Sequence, residues 1–338
     1  MRKLVSVLIL LFLTVTSTSC KSNNVSSPMR DREYLTELCS AFEVIGAEIL
    51  PAESFVSMGG NDFYGSIILG NTDKENENCK VSFELGESVK NISFYLGSTH
   101  YEKAYRDSYE TVSVYVDGVL IMEKMVFNHD LPTYHTLSVS GAETVCFQTE
   151  GEGIITAIGE LLAWSGDVKM KSTSDVSEDV GAVKLIYDVK PYYLSGKDNL
   201  ICAYSENGSV IEAGGEVYTD AFEIYLPKIS KWSNEYFAYF NLEGKYSHLS
   251  FKAKVSKIDD EAEISSHGID EKQETESPLA IISIYCDDVL VFSEEITDFS
   301  LSDFKIPVMN CKKLCFVWQN VPDSIPVKMA VVGIYAEK

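Results

Sequence analysis

Residues 112–126 read VSVYVDGVLIMEKMV, and residues 282–296 read ISIYCDDVLVFSEEI. Each stretch alternates apolar and polar residues, pauses at an Asp, and resumes as a second apolar run. Alternation of this kind has the period of a β-strand, whose successive side chains point to opposite faces. Two such runs around a short turn make a β-hairpin. In VDGVL the Asp-Gly pair is a strong two-residue hairpin turn. CDDVL keeps the Asp and lacks the Gly, which leaves its turn type open. One chain has written the same hairpin twice, about half its length apart.

The repetition extends to both sides. SFVSMGGNDFYGSIIL (54–69) precedes the first hairpin and SVIEAGGEVYTDAFEI (209–224) the second; each has Gly-Gly after an apolar run, then a Tyr and another apolar run. CKVSFELGESVKNISFYLG (79–97) answers FAYFNLEGKYSHLSFKAKV (237–255), a strand, a Leu-containing Gly turn and a second strand. After the hairpins come TLSVSGAETVCFQT (136–149) and DFKIPVMNCKKLCFVW (303–318), then IITAIGELLAW (154–164) and VKMAVVGIYAEK (327–338). Asp117 to Cys146 is 29 residues and Asp287 to Cys315 is 28, while Gly60 to Asp117 is 57 and Gly215 to Asp287 is 72. The extra length falls in SKIDDEAEISSHGIDEKQETESP (256–278), acidic and without apolar periodicity, which reads as an inserted loop.

The period is two throughout, Val, Ile, Tyr and Phe dominate, and turn residues recur every eight to twelve positions. This pattern predicts an all-β protein of two tandem antiparallel β-sandwich or jelly-roll modules, 32–165 and 182–338, joined by the Ser/Asp-rich linker 166–181. A single short N-terminal helix is expected in DREYLTELCSAF (31–42), where Tyr34, Leu38 and Phe42 share one helical face. Trp164 and Trp318 sit in apolar runs and are expected in the core.

The first nineteen residues stand apart. Arg2 and Lys3 form a basic segment, Leu4 to Val15 an apolar one too short to span a bilayer comfortably, and Ser17, Thr18 and Ser19 precede Cys20. Residues 1–19 read as a secretory signal. The Cys at the cleavage point looks like a bacterial lipoprotein signal, in which Cys20 would become the lipidated N-terminus; Ser17 stands where that pattern usually has Leu, and an ordinary signal peptide is the alternative. Residues 20–31 then serve as a polar tether. The expected location is outside the cell, anchored to its membrane by lipid alone.

Without Arg2 and Lys3, 26 basic residues face 51 acidic ones, a net charge of −25. Such a surface repels phosphate backbones, which argues against nucleic-acid binding. Of the eight cysteines, Cys146, Cys202, Cys286 and Cys315 lie in strand-like apolar runs and behave as small hydrophobes. Cys311 and Cys315, four residues apart, are about 13 Å apart in a strand, too far to bridge.

The order Gly-Gly, Tyr, apolar strand; Leu-x-Gly-x-Tyr-like turn (FNLEGKYSHLSF in the second copy); YxDG hairpin; closing strand pair resembles the NPCBM family, carbohydrate-binding modules found beside bacterial glycoside hydrolases and in tandem in bacterial surface proteins. The resemblance covers 54–164 and 209–338; the first copy departs from it in having Val89 at the Tyr246 position. It implies a galactose-binding-like β-sandwich and a carbohydrate ligand. That fold often holds a structural Ca²⁺, although no EF-hand-like spacing is present; no other cofactor is expected.

No HExxH, GxSxG, P-loop or Rossmann glycine run appears, and Asp287 and Asp288 read as a turn rather than an acid/base pair. The expected protein is therefore not an enzyme; a divergent hydrolase is the weakest of the alternatives. Sugar binding asks for ring faces with polar groups beside them. Two loop-like stretches supply both: GSTHYEKAYRDSYE (97–110), with Tyr101, Tyr105, Arg106 and Asp107, and LPKISKWSNEYFAYF (226–240), with Trp232, Asn234 and Tyr236. The expected partner is a polysaccharide or cell-surface glycan; the alternative is a protein-binding or assembly module with no sugar ligand.

Overall fold

A computed structural model describes residues 32–70, 78–99, 108–151, 154–166, 181–195, 200–203, 210–227, 235–257, 279–296, 300–321 and 325–338. The signal and tether (1–31), most of the linker (167–180) and most of the acidic insertion (258–278) lie outside them.

The described residues form an all-β protein of two sandwiches. In the first, one sheet runs in the order Thr133–Ser138, Asn91–Ser98, Thr156–Trp164, Ile67–Leu69, Ala47–Ile49, with Glu33–Tyr34 also paired to Thr156–Trp164. The facing sheet runs Val119–Phe127, Tyr109–Val116, Thr144–Gly151, Lys80–Glu84, Ala41–Ile45. In the second sandwich the corresponding orders are Ser302–Pro307, His248–Lys257, Val327–Glu337, Ala221–Leu226, Leu200–Ala203, and Val289–Ile296, Ala280–Cys286, Lys313–Asn320, Glu235–Asn241, Pro191–Leu194. Every strand of one has its counterpart in the other, and all pairings are antiparallel. The Gly-Gly ribbons recur too, as Phe55–Met58 with Asn61–Tyr64 and Ile211–Ala213 with Glu216–Tyr218.

Alternation builds each core. Phe83, Phe94 and Phe147 are fully buried between the first pair of sheets, with the rings of Phe94 and Phe147 edge to face at 5.4 Å. Phe222, Phe240, Phe251, Phe316 and Trp318 fill the second. Both remaining tryptophan expectations hold: Trp164 and Trp318 are buried. Fully burying each such side chain contributes on the order of 2–3 kcal/mol. The described cysteines form no disulfide with one another.

The two hairpin turns prove to be alike. Asp117 and Gly118 have φ of 48° and 76°; Asp287 and Asp288 have 48° and 67°. Both central residues are left-handed, the geometry of the type I′ turn that matches strand twist, and Asp tolerates it better than most residues. The first Asp does the same work in both copies. Asp117 accepts the backbone N–H groups of Glu143 and Thr144 at 2.9 and 2.8 Å, and Asp287 those of Lys312 and Lys313 at 3.2 and 2.8 Å. Each ties its hairpin to the start of the neighbouring strand, which is why the residue is written twice.

The short N-terminal helix is present, and it is shorter than the sequence pattern suggests. It spans Leu35–Leu38, because Glu33–Tyr34 and Ala41–Ile45 on either side take sheet partners instead. Leu35 is the buried anchor, whereas Leu38 and Phe42 are exposed. The second copy has an equivalent that the sequence pattern did not disclose: a single π-helical turn, Leu185–Val189, between Val183–Lys184 and Pro191–Leu194, with Leu185 buried where Leu35 is in the first.

The sandwiches meet along a polar and aromatic seam. Asp288 stands where the first copy has Gly118, and Lys313 where it has Thr144. The Lys313 ammonium lies 2.8 Å from Asp288 and 3.1 Å from Asp130 of the first sandwich. The His129 ring stacks on Tyr239 at 5.1 Å, and Tyr192 donates from its hydroxyl to the His129 carbonyl at 3.0 Å. Asn241 donates to the Gly59 carbonyl at 3.1 Å. Tyr239 and Phe237, on the face of their sheet turned away from its own core, are buried by this contact and by Tyr193.

Removing the Lys313 ammonium would leave two carboxylates facing each other beside buried rings. The Lys313→Ala variant is expected to lose about 2 kcal/mol and to unfold in two denaturant transitions where the parent unfolds in one, followed by tyrosine fluorescence and circular dichroism.

A cleft between the sandwiches as candidate functional site

Six of the seven candidate ligand residues, Tyr101, Tyr105, Arg106, Asp107, Trp232 and Asn234, lie outside the described residues. The seventh is a correction. Tyr236 is 6% exposed and belongs to the core of the second sandwich. It is not in a loop: the strand Glu235–Asn241 begins before it, and Tyr236 is paired with Trp318. The strand reads FAYF because both of its faces are covered.

What the fold does bring together is an open cleft of about 600 Å³ beside the seam. Its first wall rises from the outer face of the strand Asn91–Ser98. Ile92, Phe94 and Leu96 of that strand point into the core, so Tyr95 points out. Its ring lies 5.0 Å from Tyr134 on the neighbouring strand and 4.9 Å from Phe63 of the Gly-Gly ribbon. Phe63 reaches this place because residue 159 is Gly: a Cβ there would stand 2.5 Å from the Phe63 Cβ. Asn61 and Asp62 rim the wall. The opposite wall is Asn241, Glu243 and Lys312 of the second sandwich. Among these, Asn241 is already engaged with Gly59, and Glu243 is ion-paired with Lys245.

Glu160 also lines the cleft. It occupies a β-bulge, where pairing with Asn91–Ser98 slips between Gly159 and Leu162. Its φ is 47°, left-handed, while the equivalent bulge residue of the second sandwich is Gly333 at 58°. An L-residue in that conformation costs roughly 1 kcal/mol or more. The bulge turns Leu161 back into the core, fully buried, and leaves Glu160 partly exposed beside Tyr34 and Tyr95. Burial first, then the Glu160 charge, pushes the phenol pKa of both tyrosines up.

The second sandwich does not repeat this surface. At the positions of Tyr95 and Tyr134 it has Lys252 and Asp303, an ion pair at 3.8 Å. A second difference lies inside the first sandwich. Glu110 is 5% exposed and accepts from the Thr156 hydroxyl at 3.2 Å, with Thr149 in the same core region. The second copy has Ala280, Met329 and Trp318 at these three places, all buried. Burial raises the Glu110 carboxyl to about 7, with the Thr156 hydrogen bond opposing.

His129, Asp130 and Asp288 offer ligand atoms within 4.8 Å of one another, a set that could in principle hold a metal ion. The Lys313 ammonium already bridges the two carboxylates, so the cluster has its cation. The cleft itself offers ring edges and faces, two amides and three carboxylates around a space the size of a small-molecule ligand. The sequence signals for it were present but paired: SFYLG against SFKAK, and IGEL against VVGI, where the copies differ in what they display rather than in how they fold.

No family model matches the sequence, and no curated protein matches it. Solved structures match at low identity and low TM-score. The M60 catalytic domain with the CBM51-1 and CBM51-2 domains of Clostridium perfringens ZmpB matches at 12% identity and a TM-score of 0.34, over 92% of this chain and 39% of that one. This chain therefore spans well under half the length of that protein. The CBM51 of Clostridium perfringens GH95, in complex with methyl-galactose, matches at 12% identity and 0.30, over 39% of this chain and 99% of its own. The tandem CBM22-1–CBM22-2 of Paenibacillus barcinonensis Xyn10C matches at 11% and 0.24, over 91% and 97%.

Two stability effects follow from the two unusual glutamates. Glu160→Gly relieves the left-handed strain and is expected to raise stability by about 1 kcal/mol, read from chemical denaturation. For Glu110 the folded state holds the proton more tightly than the unfolded one, whose value is near 4.5. Its contribution is therefore favourable below about pH 4.5 and is lost as pH rises towards 7. Glu110→Gln should match the parent at pH 4.5 and exceed it by about 3 kcal/mol at pH 8, seen as a flatter plot of melting temperature against pH.

Proposed function

We propose that this is a non-catalytic carbohydrate-binding protein of the cell surface, exported by its N-terminal signal and held there by lipid on Cys20. The observation that carries the sugar reading is the Tyr95 ring, backed by Phe63 and edged by Asn61, Asp62 and Glu160, with Asn241, Glu243 and Lys312 across the seam. Sugars present apolar C–H faces that stack on rings and hydroxyls that need fixed hydrogen-bond partners, and the cleft has both. The NPCBM-like motif order supports the same reading. On this account a chain has one principal site built by both sandwiches, the second serving as its far wall, rather than two independent sites.

A second reading, a protein-binding module, draws on a different surface. Just past the turn, each hairpin exposes three consecutive apolar residues, Val119, Leu120 and Ile121 in one and Val289, Leu290 and Val291 in the other.

The two separate in one experiment. The mature chain with Cys20→Ser is screened on a glycan array and the best ligand is measured by calorimetry. Tyr95→Ala is expected to weaken binding by about tenfold or more, while Lys252→Ala, at the equivalent place in the second sandwich, leaves it unchanged. A folded protein that binds no glycan would sink the sugar reading, and equal losses in the two variants would move the site elsewhere.

A further inference from the structure

The charges of the cleft indicate what kind of saccharide it takes. Among the described residues, Asp62 and Glu160 have no cationic partner, and Glu243 has Lys245. Lys312 is the one cation in the lining, and it stands on the far wall with Glu243. The first-sandwich wall therefore lines the cleft with two carboxylates that have no ion pair among the described residues, Asp62 and, beside the Tyr95 ring, Glu160. An ammonium group there meets carboxylates and a ring face together, and both attract a cation. A carboxylate or sulfate would meet repulsion from the same groups and from a protein whose formal net charge is −23. The second copy shows that the fold does not need Glu160, since Gly333 closes the same bulge with no side chain.

We propose that the cleft between the sandwiches selects saccharides bearing a protonated amine, such as free hexosamine units, over neutral and acidic ones. The proposal rests on the carbohydrate reading above. Asp62 and Glu160 supply the charge, Tyr95 the ring, and Asn61 a hydroxyl partner. Acetylation of the sugar amine removes the cation and with it the basis of selection.

Calorimetric titration of the mature chain at mildly acidic pH, with short oligosaccharides of glucosamine, N-acetylglucosamine and galacturonic acid, tests this directly. The glucosamine oligomer is expected to bind about tenfold more tightly than its acetylated form, with affinity falling as salt rises, and the galacturonate not at all. Glu160→Gln and Asp62→Asn should each remove most of that preference, while Glu294→Gln, on an exposed edge strand of the second sandwich, should leave it intact. Thermal melts of each variant check that it is folded. If the acetylated oligomer binds as tightly as the free amine, and Tyr95→Ala weakens both, selection by charge is overturned while sugar binding stands. If Glu294→Gln weakens binding as much as Glu160→Gln, the amine is merely attracted to an acidic surface and the proposal falls. If no oligosaccharide binds the folded protein, both readings fall together.

Discussion

The ammonium of Lys313 sits between a carboxylate of its own sandwich and one from the other. With its side chain only 8% exposed, it would be costly to bury alone, and each Asp would be costly to leave opposite the other. The group therefore fixes where the second sandwich stands against the first. The stack of His129 on Tyr239 and the Tyr192 hydroxyl bond to the His129 carbonyl fill the space around it. The cleft is a consequence. Asn241, Glu243 and Lys312 form its far wall only because this contact holds them there.

The two copies are equivalent scaffolds that differ at a few matched positions. At the hairpin turn, Asp288 stands where the first copy has Gly118 without changing the turn, since both residues take the left-handed conformation. One strand over, Lys313 stands where the first copy has Thr144, and these two residues make the second copy's part of the ion pairing at the seam. On the outer sheet face the differences run the other way. The first copy has Tyr95 and Tyr134 where the second has an ion pair, and Glu160 where the second has Gly333. The second copy also has the more apolar interior, with Trp318 and Met329 where the first keeps Thr149 and Thr156 around Glu110. One copy carries the aromatic and acidic residues of the cleft, and the other the more apolar interior.

Both glutamates of the first sandwich sit where folding alone would not put them. Glu110 carries a carboxyl into a core, and Glu160 takes a backbone conformation better suited to glycine. Departures from locally optimal choices of this kind concentrate at functional sites. Their shared location in one copy, and their absence from the other, makes them a property of that copy rather than of the fold.

The amino-acid order by itself determined the all-strand character, the two copies and the register of their motifs. Period-two alternation and turn residues are local, and they recur often enough to be checked against each other. Val89 and Tyr246 do fall at equivalent places, and the Asp of each hairpin has the same partners. Tertiary structure decided what local pattern cannot contain. Tyr34, Leu38 and Phe42 fit a helical face, yet the backbone on both sides of Leu35–Leu38 finds more hydrogen bonds in the sheets. Tyr236 has the look of a ligand residue and is core, because its strand is covered on both faces, one of them by the other sandwich. The cleft depends on residues such as Asp62, Glu160 and Lys312 that are far apart along the chain, and only the packing of one sandwich on the other brings their side chains to a common space.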